Sequence, residues 1–218
     1  MQSAAREFRQ TADLYLFAQA RKKLLLGADN FLIQDMIGLT TIAGRNGAVV
    51  ANSFAKLMEA VNATQAPTIW SLAEMAARRA GTKLFSQYFP EIASIRTSAA
   101  HPGELSKSKA ELFSHKLTSP IKTSALHSGP GIYISDMMET HENSLIFSAT
   151  VKGRMVSYEL SMRTADVLDC VNAQYHRVFL ALEPPELARM RKWRQESAEQ
   201  HQRAEKSHQP WWRNLVHL

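Results

Sequence analysis

The chain of 218 residues contains little cysteine, no long apolar run and no recognisable leader. Its single cysteine, Cys170, excludes an intramolecular disulfide and fits a reducing compartment. The first ten residues lack a basic flank followed by an apolar core, so no signal peptide is predicted. No stretch of about 18 uninterrupted apolar residues occurs, and we therefore expect no membrane span. Together these absences predict a cytoplasmic protein.

Sequence patterns for metal or nucleotide chemistry are also missing. His115, His127 and His141 do not form a metal-binding set with carboxylates at short helical spacing, so no metal is predicted. The run Gly129-Pro130-Gly131 is typical of a turn and not of a phosphate-binding glycine loop. We therefore expect no cofactor.

The charge of the chain favours an anionic partner. The formal net charge is +6 and the pI is near 9.5, which suits nucleic acid above all. Many soluble proteins are mildly basic without such a partner, so charge alone decides little. The hydrophobic fraction of 45% and the charged fraction of 21% are ordinary for a globular protein that buries a core.

Residues 1–125 carry apolar side chains at helical spacing, with short connections between the periodic runs. Gly44 and Gly47 interrupt the longest run, 30–61, which predicts either a kinked helix or two helices with a tight break. Gly81 is expected to separate a helix over 69–80 from another over 82–89. A further helix is predicted over 106–117. This pattern predicts a mainly α fold, an antiparallel helical bundle.

The period changes in residues 126–183. The run 143–160 predicts a β-hairpin whose turn is Lys152-Gly153, and Thr164 is expected to open a helix that packs on it. On that helix Cys170 is predicted to be a buried small apolar residue. Residues 184–218 are interpreted as a basic helical tail whose Trp211-Trp212 end either docks on protein surface or stacks on nucleic acid bases.

One stretch, 89–104, combines an apolar helical pattern with Arg96 and His101 and then stops at Pro102-Gly103. An arginine holds a phosphate through a fork of N–H donors, and a histidine moves a proton near neutral pH. Those two groups are the minimum for cutting RNA without a metal. The alternative is that Arg96 pairs with an acidic side chain while His101 only ends a helix.

The spacing of Arg96 and His101, with four residues between them and Pro-Gly-Glu after, resembles the Arg-x(4–6)-His motif of the HEPN superfamily (higher eukaryotes and prokaryotes nucleotide-binding domain). Two further matches, Arg194/His201 and Arg203/His208, lie in the polar tail without an apolar scaffold and are discarded. The resemblance covers the helical region to about residue 117. It implies an all-helical, often dimeric domain, commonly a metal-independent endoribonuclease of toxin–antitoxin or antiviral systems, with an antitoxin or regulatory protein as a partner.

The resemblance also implies roles for individual residues. Arg96 would bind the RNA phosphate and stabilise its transition state, and His101 would move the proton. Thr97 stands where the family usually has Asn, Asp or His and would support the site, while Glu104 would contact substrate or orient the imidazole. On a straight helix Arg96 and His101 face about 140° apart, so two copies would form a composite site. The alternative function is a non-catalytic helical module that binds protein or nucleic acid.

Overall fold

The computed structural model describes residues 1–25, 30–63, 75–100, 109–122, 127–177, 189–190, 192–197 and 199–200. In these residues the protein is mainly helical with small antiparallel sheets, as predicted at that level. The elements in chain order are α1 (Gln2–Leu25), α2 (Asn30–Ala63), α3 (Met75–Tyr88), α4 (Ile92–Ala100), α5 (Lys109–His115), β1 (Ile121–Lys122), β2 (His127–Ser128), β3 (Met137–Thr140), β4 (Ser144–Val151), β5 (Arg154–Ser161) and α6 (Met162–Arg177).

Helix α2 is continuous over 34 residues, so the predicted alternative of two helices is wrong. Its two central glycines serve contact with the sheet instead. A Cβ at Gly47 would lie 2.5 Å from the Tyr158 hydroxyl oxygen, and one at Gly44 would lie 2.9 Å from a methyl carbon of Leu145. The missing side chains let the sheet approach the helix backbone, and the Tyr158 hydroxyl donates a hydrogen bond to the Gly44 carbonyl. The propensity cost of glycine is therefore offset by close packing.

Helix α3 is a second correction, because it runs through Gly81 without a break. A Cβ at Gly81 would lie 3.0 Å from the Tyr175 ring of α6, so this glycine also marks a close helix contact. The earlier part of the predicted helix, 69–74, lies outside the described residues.

The predicted hairpin is confirmed as β4 and β5, paired in antiparallel register from Val151↔Arg154 to Ser144↔Ser161. Its two turn residues have positive φ, 48° at Lys152 and 82° at Gly153, as a tight hairpin turn with a right-handed twist requires. The sheet is larger than predicted, because β3 adds a third strand beside β4. A separate two-stranded pair, β1 and β2, lies between α5 and β3 in the chain.

Helix α6 begins at Met162, two residues before the predicted start. The Ser161 hydroxyl accepts a hydrogen bond from the Thr164 amide at 3.2 Å, which caps the first turn. The prediction that Cys170 is buried is wrong, because its side chain is exposed. The buried face of α6 uses Thr164, Leu168, Val171 and Tyr175, and Cys170 falls outside that helical series.

One apolar core joins α1, α2, α4, the hairpin and α6, so residues from the predicted bundle and from the predicted hairpin unit pack together. Its largest fully buried side chains include Tyr15, Phe8, Phe54, Phe147 and Leu168. Within the described parts of the chain, no helix has the length and apolar character needed to cross a membrane. Of the tail, residues 192–197 are helical, and the tryptophan-containing end lies outside the described residues.

Candidate functional site

Helix α4 carries the arginine of the sequence motif and is fixed firmly to the core. It follows a turn at Pro90-Glu91, where Glu91 has a φ of 54° and its carbonyl accepts the amides of Ser94 and Ile95. The buried face of the helix consists of Ile92, Ile95, Ser98 and Ala99. Because one face is buried along the whole helix, the direction of the remaining side chains is also set.

Helix α4 lies antiparallel to the middle of α2. Its first turn borders a cavity together with Ala55 and Glu59, in the C-terminal half of α2. At its last turn the Ser98 hydroxyl donates to the Ser135 carbonyl, and the neighbouring Asp136 carboxylate pairs with Arg45 of α2. Arg96 is therefore placed beside the middle of α2.

Arg96 is half-buried on the flank of α4. Among the arginines that the structure describes, it is the half-buried one with no recorded hydrogen bond, ion pair or ring contact. Arg9 by contrast bridges two carboxylates of α6 at 2.7 and 2.5 Å, and hydrogen bonds to Asp166 and then Asp169 raise the pKa of its guanidinium. No acidic partner for Arg96 is found in the described residues.

Of the other three residues of the predicted site, the structure describes only Thr97. The Thr97 hydroxyl donates to the Ala93 carbonyl one turn earlier at 3.1 Å. Its only hydroxyl proton is thereby used, so in this rotamer Thr97 can accept but not donate a further hydrogen bond. His101 and Glu104 lie outside the described residues. The structure thus places Arg96 and Thr97 at consecutive positions on α4, and the roles of all four residues stay predictions.

A cavity of about 270 Å³ opens between α2, α3 and the start of α4. Apolar side chains from all three helices form part of its lining, among them Met58, Phe85 and Ile92. The two phenylalanines of α3 and its following turn, Phe85 and Phe89, stack on each other with ring centroids 5.0 Å apart. This part of the cavity is a rigid aromatic and aliphatic wall.

Polar groups line the rest of this cavity. The Asn62 amide donates to the Tyr175 hydroxyl at 3.1 Å, and the Thr82 hydroxyl lies 2.9 Å from the same oxygen. Of the two carboxylates in the lining, Glu91 pairs with Arg154. Glu59 is exposed and has no ion pair recorded within the described residues. Sequence reasoning missed this constellation because its members come from separate helices and have no local spacing in common.

A second polar cluster lies at the last turn of α4. It contains the Arg45–Asp136 ion pair and Tyr133, whose pKa is raised by burial and by the negative charge of Asp136. The Tyr133 hydroxyl and the Nε of Arg45 are both buried without a hydrogen-bond partner in the described structure. Sequence reasoning also missed these residues, since they follow no motif and meet only through the loop before β3.

In the part of the chain that is described, no three His, Cys, Asp or Glu side chains come together as a metal-binding group. Comparison of the chain with protein-family models, with curated proteins and with solved structures finds no match.

Proposed function

We propose that the protein is a metal-independent endoribonuclease of the HEPN type, acting as a homodimer in the cytoplasm. One observation carries this proposal: Arg96 is half-buried on a fixed helix, and no anionic partner is recorded for it in the described residues. A partly desolvated guanidinium without a counter-charge is unfavourable, so an external anion stabilises it. A phosphate of RNA supplies that anion, and a guanidinium binds phosphate through two parallel N–H donors.

The proposed reaction is an attack by the 2′-hydroxyl of RNA on the adjacent phosphorus. The O2′–P bond forms, the P–O5′ bond breaks, and the products are a 2′,3′-cyclic phosphate and a free 5′-hydroxyl. Arg96 stabilises the extra negative charge on the phosphoryl oxygens in the transition state. His101 takes the 2′-hydroxyl proton or protonates the leaving 5′-oxygen, as histidines with an ordinary pKa of about 6.5 do.

Two copies of the chain provide the remaining geometry. Because Arg96 and His101 are about 140° apart on a straight helix, a second copy contributes the groups that one copy cannot aim at the same phosphate. Thr97 accepts a hydrogen bond beside the phosphate, and Glu104 orients the imidazole. A toxin or defence role, with a partner protein that holds the activity in check, follows from the resemblance of the motif.

The test is RNA cleavage by the purified protein with and without EDTA. We expect cleavage that survives EDTA and falls at least about 100-fold in Arg96→Ala and in His101→Ala. Arg6→Ala and His127→Ala are matched controls, because both residues are exposed and lie outside the motif. Intact RNA, or cleavage that Arg96→Ala and His101→Ala leave unchanged, would overturn the proposal.

A second candidate is a non-catalytic helical module that binds protein, including a second copy of this chain. It is favoured by large apolar side chains exposed along α1 and α2, with Leu24 75%, Ile42 56% and Phe17 54% exposed. Exposed apolar residues mark an interaction surface where they form a contiguous patch. Ile42 and Leu57 are both exposed on α2. We expect the double variant Ile42→Ser, Leu57→Ser to reduce the mass measured by light scattering if these side chains join two copies. A loss of mass together with intact RNA in every arm would favour this candidate.

A further inference from the structure

The cavity between α2, α3 and α4 has the size and lining of a site for one flat ring system. Its volume of about 270 Å³ is below the range of about 300–1,000 Å³ usual for larger ligands. One wall is aromatic and aliphatic, with Phe85, Phe89 and Met58, and the facing groups include Asn62 and Thr82. An apolar face with polar groups at its edge is how proteins hold an unstacked nucleobase.

Arg96 follows the cavity-lining residues of α4 by about one helical turn, and it is not itself part of the lining. Ile92 and Ala93 line the cavity, and Arg96 follows them by about 6 and 4.5 Å along the helix axis, within about 60° of either in direction. Side chains of a helix lean toward its N-terminus. A side chain at position 96 therefore leans toward the turn that contains the cavity-lining residues. A phosphate bound to its guanidinium would be adjacent to the cavity mouth.

The charge of the lining selects among bases. Glu91 is neutralised by Arg154, whereas Glu59 brings a carboxylate that has no ion pair in the described residues. A carboxylate accepts hydrogen bonds, so it favours a base whose edge offers an amino group, as cytosine does with its N4. Uracil has a carbonyl oxygen at that position and would face the carboxylate with an acceptor.

We propose that this cavity binds the base of the nucleotide whose phosphate Arg96 binds, and that this base carries an exocyclic amino group. The inference rests on the proposed function, because it takes Arg96 as a phosphate ligand. It adds a substrate preference: the nuclease cleaves beside cytidine, adenosine or guanosine in preference to uridine.

The test compares three small ligands on the full-length protein by isothermal titration calorimetry: CMP, UMP and ribose 5-phosphate. We expect CMP to bind about tenfold more tightly than ribose 5-phosphate, because the base adds contacts worth that much. UMP should bind more weakly than CMP, and Glu59→Gln should reduce the difference between the two.

Two kinds of variant separate base binding from phosphate binding. Ser86→Phe fills the cavity mouth from an exposed helix position and should remove the advantage of CMP while ribose 5-phosphate still binds. Ser3→Phe on α1 is the matched control, an exposed serine outside the cavity lining. Arg96→Ala should weaken all three ligands. Circular dichroism and thermal unfolding of each variant establish that it is folded before its binding is compared.

The outcomes also distinguish this inference from the proposed function. Equal binding of CMP and ribose 5-phosphate, or no binding of either, would overturn the base site even where RNA cleavage depends on Arg96. Binding of CMP that Ser86→Phe abolishes and Arg96→Ala leaves unchanged would break the link between base and phosphate, and it would count against the phosphate role of Arg96. Tighter binding of UMP than of CMP would overturn the role of Glu59.

Discussion

Helix α2 contacts the sheet at its centre and borders the cavity nearer its C-terminal end. Neighbouring side chains approach the helix backbone more closely at the sheet than at the cavity. At Gly44 and Gly47 the sheet side chains occupy the space where Cβ atoms would be. Toward its C-terminal end the same helix presents Ala55, Glu59 and Asn62 to an open cavity. The sheet contact therefore contributes chiefly to stability, while the cavity side keeps open space and the Glu59 carboxylate, which has no ion pair in the described residues. Substitutions at the sheet contact should therefore lower the free energy of unfolding more than substitutions beside the cavity.

The largest effect is expected for Gly47→Ala. The added methyl group would lie 2.5 Å from the hydroxyl oxygen of Tyr158, a side chain that is buried and 2% exposed. We expect the free energy of unfolding to fall by about 2 kcal/mol, since overpacking outweighs the better helix propensity of alanine. Urea denaturation measures this change.

Gly38→Ala is the matched control on the same helix, because nothing lies within 4 Å of the position of its Cβ. It should raise the free energy of unfolding by about 0.5–1 kcal/mol. Equal effects of the two substitutions would show that close approach of the sheet is not what Gly47 provides.

The next largest effect on stability is expected at alkaline pH, through the tyrosines that are buried in the core. Burial raises the pKa of Tyr15 to about 12, and burial also raises the pKa of Tyr158. An unfolded tyrosine ionises near pH 10, so the folded state binds more protons above that pH. The stability that these protonated tyrosines contribute is fully present below about pH 10 and is lost as the pH rises toward and through 12.

After a discount for solvent screening, Tyr15 accounts for roughly 1–2 kcal/mol of this loss at pH 12. Urea denaturation at pH 8, 10 and 12 measures it, and the Tyr15→Phe variant should lose less between pH 10 and 12 than the wild type. A stability that is the same at pH 8 and pH 12 would contradict the burial of these hydroxyl groups.

On the cavity side, Tyr175→Phe should cost about 1 kcal/mol. The substitution removes the hydroxyl that lies 3.1 Å from the Asn62 amide and 2.9 Å from the Thr82 hydroxyl. Both partners adjoin the open cavity and can bond to water instead, so the cost remains that of a single net hydrogen bond. Thermal unfolding measures it, with Thr82→Val as the variant that removes the partner group. If Tyr175→Phe lowered the free energy of unfolding much more than Gly47→Ala, the cavity side and not the sheet contact would contribute more to stability.

The smallest effect on stability is expected for Arg96→Ala. Since no ion pair or hydrogen bond of Arg96 is recorded in the described residues, the free energy of unfolding should change by less than about 0.5 kcal/mol. RNA cleavage should nevertheless be lost in the same variant. A loss of stability similar to that of Gly47→Ala would mean that Arg96 has a structural role.

Sequence periodicity was sufficient for elements whose signal is local. The hairpin with its Lys152-Gly153 turn and the helix that follows it are explained by alternation, helical spacing and turn chemistry. It failed at Gly81, and at Gly44 and Gly47 it left two alternatives open, because the packing partners of these glycines lie about a hundred residues away in the chain. Strand β3 was missed for a related reason. It is a strand because it pairs with β4, and its own composition gives no such signal.

For the candidate site the sequence indicated Arg96 but not its surroundings. The motif identifies one helix, whereas the cavity uses Glu59 and Asn62 of α2 with Thr82 and Ser86 of α3. No spacing rule relates positions on separate helices, because their proximity is a product of tertiary packing. Whether an arginine has an acidic partner is likewise decided in three dimensions, and the sequence left both alternatives open.

The hydrogen bond from Tyr158 to Gly44 joins residues 114 positions apart, and this separation matters during synthesis. A ribosome adds about 5–20 residues per second, so α2 emerges roughly 6–23 s before the strand that covers it. During that interval the glycine face of the nascent helix has no sheet to contact. Slowing elongation before residue 158 would prolong the exposure of this surface to chaperones and to other nascent chains, and faster elongation would shorten it.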